Sequence, residues 1–337
     1  MSRNIRIALS FLISGVLLWL ALSNIDTKEA MAAVRGARYS LILLMLPITV
    51  ASLYIRALRW RVFLGTVGTA PMSSLVSATN IGFMANMVLP LRAGEVVRPV
   101  LLSRKENLPL SGVLGSCVVE RIFDMFSILI LFGVAVILVD VSDRVQQWGY
   151  ALLSIAVPIA AVLALLRFQE ALALRISRRV CDLLPERFGN ALHGFVEGFV
   201  QALLMLDSPM AFVRAFGWTF FLWAVIGSLY VLGFWAFHLD VPAVKGAFIL
   251  TAIVAIAVSV PSAPGFIGSY QLGCVLGLGI FGVGESAALA YSLVLHMTQF
   301  VAVIGAGLYS LWREGMSMRD VKAQEMPDAN AIERSEG

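Results

Sequence analysis

Eight ionisable residues stand where an otherwise apolar chain has little reason to carry charge: Arg56 and Arg59, then Arg92, Glu95 and Arg98, then Glu120, Arg121 and Asp124. In the block Asn86 to Pro99, Arg92, Glu95 and Arg98 fall at i, i+3 and i+6, so a helix after Pro90 would set all three on one broad face. Guanidinium groups stay charged and present fixed donors to phosphate oxygens. Two arginines flanking a glutamate thus have the make-up of a phosphate clamp with its own counter-ion, or of an ion network that only satisfies the charges of a broken helix. Glu120 and Asp124, at i and i+4, repel each other unless a cation or a proton sits close. They either pair with Arg121, Arg92, Arg98 or the Arg56/Arg59 pair, or anchor the start of a span at the interface. Taken alone, Arg56 to Trp60 reads as a snorkelling interfacial anchor.

A second class of residue breaks helices. The stretch Leu75 to Leu102 is apolar but interrupted by Pro90 and Gly94, and Val244 to Val283 carries Pro261, Pro264, Gly265 and Gly268 at its middle, followed by Gln271. The first reads as a re-entrant or broken-helix hairpin, the second as two spans or another hairpin. Backbone groups freed at such breaks have to be satisfied internally or by a ligand, which suits a headgroup path. Pro90 to Gly94 and Pro261 to Gly265 share the pattern Pro-x-x-x-Gly. With three spans between them, one copy would be inverted relative to the other, as in many transporters.

These breaks have to be positioned by spans. The 337 residues are 59% hydrophobic and 14% charged, with a mean hydropathy of +0.87. That exceeds what a soluble fold can hide. Clear spans run from Ile7 to Ser23, Leu41 to Leu58, Arg121 to Val139, Tyr150 to Leu166, Ala211 to Phe237 and Ala287 to Trp312. Arg3 and Arg6 before the first imitate a signal peptide, but with no convincing cleavage site it reads as a retained span. Segments placed inside hold 17 Lys and Arg, whereas Lys28, Arg35, Arg38, Arg144 and Lys245 lie outside. This imbalance puts both termini in the cytoplasm of a multi-pass inner or plasma membrane protein. Residues 167–209, with Arg175, Arg178, Arg179 and Arg187 among apolar residues, read as an amphipathic cytoplasmic segment within a 1–313 transmembrane domain. Residues 314–337 read as a disordered tail. Scattered Cys117, Cys181 and Cys274, with His193, His238 and His296, lack metal-ligand or disulfide spacing. No metal, cofactor or nucleic-acid partner is expected.

Arg56-Ala-Leu-Arg-Trp60, Pro90-Leu-Arg-Ala-Gly-Glu-Val-Val-Arg98, Glu120-Arg-Ile-Phe-Asp124 and Pro261-Ser-Ala-Pro-Gly-Phe-Ile-Gly268 follow one another in an order that resembles the lysylphosphatidylglycerol synthase transmembrane-region family, also called flippase-like proteins. The resemblance covers about residues 5–313. It implies an all-α polytopic fold of about eight spans with one or two re-entrant hairpins, which moves a phospholipid or a polyprenyl- or glycan-linked lipid between leaflets. Relatives often show Pro-Gly-Gly-x-Gly-x-x-Glu. Here Phe266 replaces the second Gly and Gln271 stands at the Glu position. Aminoacylating members carry a soluble synthase domain after the spans. The 25 residues after Trp312 are too few for one, so aminoacyl transfer is not expected.

The expectation is therefore a lipid translocator in which Arg92 and Arg98, with Arg56 and Arg59, hold a phosphate while the chains stay in the bilayer. Two other readings remain: an intramembrane lipid-modifying enzyme using Glu95, Glu120 or Asp124 as base, and a membrane scaffold for a lipid or glycolipid biosynthetic enzyme. Against the enzyme, no Ser/His/Asp set, HExxH or DxD pair is present. Gly273, Gly277, Gly305 and Gly307 allow close helix packing either within the chain or in a homo-oligomer.

Overall fold

The computed structural model describes residues 25–138, 208–259 and 263–323, together with residues 12, 15–19 and 154. The described residues are helical and contain no strand. Residues 12 and 15–19 of the first expected span are helical; all but residue 154 of the span at Tyr150 to Leu166, nearly all of the amphipathic segment 167–209, and Pro261 fall outside the described residues.

In chain order the helices are α1 (Thr27–Gly36), α2 (Tyr39–Leu64), α3 (Met72–Val88), α4 (Gly94–Glu106), α5 (Leu110–Leu138), α6 (Pro209–Ala236), α7 (Ala243–Ser259), α8 (Ser269–Gly279), α9 (Glu285–Glu314) and α10 (Met318–Ala323). Of these, α2, α6 and α9 are long and apolar enough to cross a membrane. At 1.5 Å per residue the 26 residues of α2 extend about 39 Å, more than the roughly 30 Å of a hydrocarbon core. The 17 and 13 residues of α3 and α4 extend only about 26 and 20 Å. They fold back on each other through a 3₁₀ turn at Pro90–Arg92, forming the expected hairpin. α7 and α8, with 17 and 11 residues, do the same around Pro264–Phe266. The second interrupted stretch is thus a hairpin rather than two full spans.

Each hairpin is flanked by long helices, giving α2, α3–α4, α5 in the first half and α6, α7–α8, α9 in the second. The halves run in opposite directions: the Arg38 amide at the start of α2 donates to the Ala236 carbonyl at the end of α6 at 2.8 Å. α9 packs on α3 as α5 packs on α7. On the α3–α9 face, Met84 lies against Gly307 and Asn80 donates to Ser310 at 3.0 Å, so these helices are antiparallel as well. The described chain is therefore built as an inverted internal repeat, the arrangement that places binding sites at the interface of many transporter halves.

The repeat corrects the sequence pairing. Leu91 (φ 60°, ψ 23°) matches Gly265 (φ 69°, ψ 15°), and Arg92 (φ 54°) matches Phe266 (φ 59°). The counterpart of Pro90 to Gly94 is thus Pro264 to Gly268, not Pro261 to Gly265. Both proline–glycine spacings read alike in sequence, and backbone angles decide between them.

Two further expectations change, and one element is added. α5 begins at Leu110, well before Arg121, so Glu120 and Asp124 lie within the helix and not at the start of a span. Between the first two expected spans lies α1, whose N-cap Asp26 accepts from the Lys28 amide at 2.8 Å and donates its own amide to Ser286 of α9. The segment from residue 314 is not a disordered tail throughout. α10 is started by Asp320, which accepts the Ser317 amide and hydroxyl, both at 2.7 Å, and Val321 is fully buried.

Candidate functional site

The charged residues singled out above converge, but not as one clamp. Arg59 projects from α2 and is completely buried. It donates to Glu120 at 2.6 Å, to both oxygens of Asp124 at 2.5 and 3.1 Å, and to Thr219 of α6 at 3.4 Å. Beneath it Phe63, Phe123, Phe212 and Phe216 pack edge to face and tilted, with centroids 4.6–5.4 Å apart. Arg98 from α4 reaches the same glutamate at 3.0 Å and lies over the ring of Trp60, 3.9 Å from its centroid. Trp60 in turn donates to Ser116 at 3.0 Å. The anchoring reading of Arg56 to Trp60 fails for Arg59 and Trp60, since both are 0% exposed. A guanidinium with two carboxylates inside reach is drawn inward because the pairing offsets the cost of leaving water.

Arg121, more accessible, spans Glu120 at 3.1 Å, Asp124 at 3.6 Å and Glu95 at 3.8 Å. Glu120 and Asp124 are thus held together by Arg59, Arg98 and Arg121. Arg92 is not among their partners. It sits in the turn, off the α4 face, so Arg92 and Arg98 do not form the paired clamp that their spacing suggests. Its guanidinium donates to the Val258 carbonyl of α7 and lies 5.3 Å from the Phe266 ring centroid. Pseudo-equivalent residues of the two hairpins therefore touch, and the tips meet: a Cβ on Gly265 would stand 3.2 Å from the Met87 carbonyl.

Arg56 lies over Phe83 of α3, 4.7 Å from the centroid. Among the described residues no carboxylate lies within ion-pair distance of Arg56 or Arg92. At longer range the strongest charge acting on Arg56 is that of Asp124 and on Arg92 that of Glu95, with Arg121 opposing both. Five arginines against three carboxylates leave the cluster with two positive charges in excess, both on residues facing aromatic rings.

In the second half the polar groups are neutral. Gln271 caps α8 by accepting the Gly268 amide at 2.8 Å, and its amide nitrogen lies 2.9 Å from Nδ1 of His296, which stacks on Tyr270 with centroids 4.6 Å apart. Gln271 thus takes a structural place at the break, with Pro264, Gly265 and Gly268 shaping the tip. Sequence reasoning named His296 only as a histidine without ligand spacing and Phe266 only as a departure from the family pattern, and it did not name Phe83. A lone histidine within an apolar span is a usable signal for the first, and the departure from the Gly of the family pattern for the second; nothing in the sequence marks Phe83. Among the described residues no group of His, Cys, Asp and Glu could hold a metal ion.

An inverted helical repeat with two broken-helix hairpins whose tips meet defines a polytopic helical membrane protein. The chain belongs to the lysylphosphatidylglycerol synthase TM region family, whose description matches residues 7–307. Among curated proteins it is similar to glycosyltransferase AglD of Haloferax volcanii, at 26% identity over 94% of this chain and 56% of that protein. The chain thus spans little more than half of that relative's length. It is also similar to two UPF0104 membrane proteins of Methanothermobacter thermautotrophicus, at 23% identity over 93% of this chain and 94% of the relative, and at 26% over 91% and 92%. No solved structure matches.

Proposed function

We propose that this protein moves a phosphate-bearing lipid between the leaflets of the membrane, with Arg92 and Arg56 holding the phosphate where the two hairpins meet. The observation that carries this reading is the pair of arginines that, among the described residues, have no carboxylate within ion-pair distance, in a cluster whose other arginines are paired. Uncompensated cations at membrane depth are costly, and an anion that supplies the missing charge offsets that cost. Arg59 and Arg98, grouped with them on sequence grounds, serve to hold α2, α4, α5 and α6 together.

Transport is favoured over catalysis because Glu120 and Asp124 are each engaged by arginines and so are poor bases. Glu95, half exposed with Arg121 as its ion-pair partner, is the carboxylate left to the enzyme reading. The glycosyltransferase name of one relative favours a polyprenyl- or glycan-linked cargo supplied by a lipid-biosynthetic enzyme. By the positive-inside rule the hairpin ends bearing Arg104 and Lys105 face the cytoplasm.

The test is headgroup accessibility in proteoliposomes, comparing wild type with Arg92→Ala/Arg56→Ala. Fluorescent phospholipid and polyprenyl-phosphate probes would be read with an impermeant quencher. Protein-dependent movement of at least one probe, reduced tenfold or more in the double variant, supports the reading. Equal movement in wild type and variant, or none in correctly inserted wild type, overturns it.

A further inference from the structure

Each hairpin forms a cavity with a long helix of the opposite half. On the first hairpin the cavity, about 260 Å³, is lined by Ser74, Ser77, Arg104, Lys105 and Glu314 together with the apolar Ala78, Ile81, Leu101 and Met316. On the second, a groove of about 380 Å³ is apolar. Ile249, Ile253 and Ile256 of α7 and Leu272 and Leu276 of α8 face Phe132 of α5.

We propose that the apolar groove seats one hydrocarbon chain of the lipid phosphate whose headgroup Arg92 and Arg56 hold, and this rests on the function proposed above. Continuity with the headgroup site selects the occupant. The groove's inner end is lined by Ala257 and Ser269. Ala257 immediately precedes Val258, whose carbonyl accepts the Arg92 guanidinium, and Ser269 follows the tip residue Gly268. From Ser269 to Ile280 the α8 side extends about 16 Å at 1.5 Å per residue, enough for an extended chain to run outward from a phosphate at the tips. Leu17 of the first expected span also lines the groove, and a polar partner would find no hydrogen-bonding wall beyond the inner end. Chain recognition would then come from groove width and length, and headgroup recognition from the arginines.

The experiment uses full-length protein in phosphatidylcholine vesicles with a trace of phosphatidic acid bearing a diazirine midway along one acyl chain. Crosslinks are mapped by mass spectrometry, with unlabelled phosphatidic acid or polyprenyl phosphate as competitor. The expected result is crosslinking at Ile253, Leu272 or Leu276 that either competitor lowers fivefold or more, the stronger competitor identifying the acyl or prenyl source. Label spread over other lipid-facing side chains such as Val213 and Val301, or insensitive to both competitors, overturns the proposal. Leu276→Trp, at a half-exposed position that tolerates bulk, should abolish the groove crosslinks and slow translocation of long-chain probes tenfold. An unchanged crosslink map in this variant also overturns it. Competed crosslinks without any translocation would leave the chain seat standing and remove the transport reading, whereas translocation without groove crosslinks would do the reverse.

Discussion

At the residue scale, the arginines divide by what neutralises them. Arg59 joins α2 to α5 through two carboxylates and to α6 through Thr219, and its removal would leave Glu120 and Asp124 sharing a buried site with too little positive charge. Arg59→Ala should therefore destabilise the protein by about 3–5 kcal/mol, the cost typical of breaking a buried pair on one side. Thermal unfolding in detergent, read beside the yield of monodisperse protein, checks this; an unfolding temperature within a degree of wild type would contradict the structural role. Arg92→Ala should behave differently, losing one carbonyl contact and a ring contact, with near wild-type folding but at least tenfold lower lipid movement. A loss of stability comparable to Arg59→Ala would show that Arg92 belongs to the scaffold.

At the element scale, the first hairpin depends on close backbone approach. A Cβ on Gly94 would come 1.9 Å from the Gly82 carbonyl oxygen, so the arms cannot cross as they do with any larger residue there. Gly94→Ala should lower stability by about 2–3 kcal/mol or prevent the hairpin from forming. Gly305→Ala is the matched control, since no atom lies within 4 Å of the Cβ it would add. Equal unfolding temperatures for the two variants would refute the crossing. The other glycines marked for packing act inside the chain: Gly307 receives Met84, Gly277 receives Leu250 and Gly273 receives Ala257.

At the scale of the whole molecule, motion of the hairpins against the long helices is what an inverted repeat makes available. Lys105 at the end of α4 bonds both oxygens of Glu314 at 2.6 and 2.7 Å, tying the first hairpin to α9 across the mouth of that hairpin's cavity. Because Lys105 is 40% exposed, the pair contributes at most about 1 kcal/mol to stability, so its value would lie in selecting a conformation. Lys105→Glu should change the rate of lipid movement severalfold with little change in unfolding temperature, and the swap Lys105→Glu/Glu314→Lys should restore the rate. Failure of the swap to restore it would separate the ion pair from the transport cycle.

Composition and the spacing of apolar runs determined on their own that the chain is a helical membrane protein. They also located both hairpins, because prolines and glycines interrupt helices wherever they stand. The same local logic picked out all five arginines and three carboxylates of the cluster, since charge within an apolar run is conspicuous without any knowledge of contacts. Only the tertiary structure decided which of them are neutralised. Glu120 could have paired with any of five arginines, and the choice of Arg59, Arg98 and Arg121 depends on how α2, α4 and α5 are rotated about their axes, which sequence spacing along a single helix does not encode. The match of Pro264 rather than Pro261 to Pro90 was likewise settled by backbone angles. The alignment of Arg92 with Phe266 across the pseudo-twofold arises from contact between segments 174 residues apart, and no local pattern specifies it.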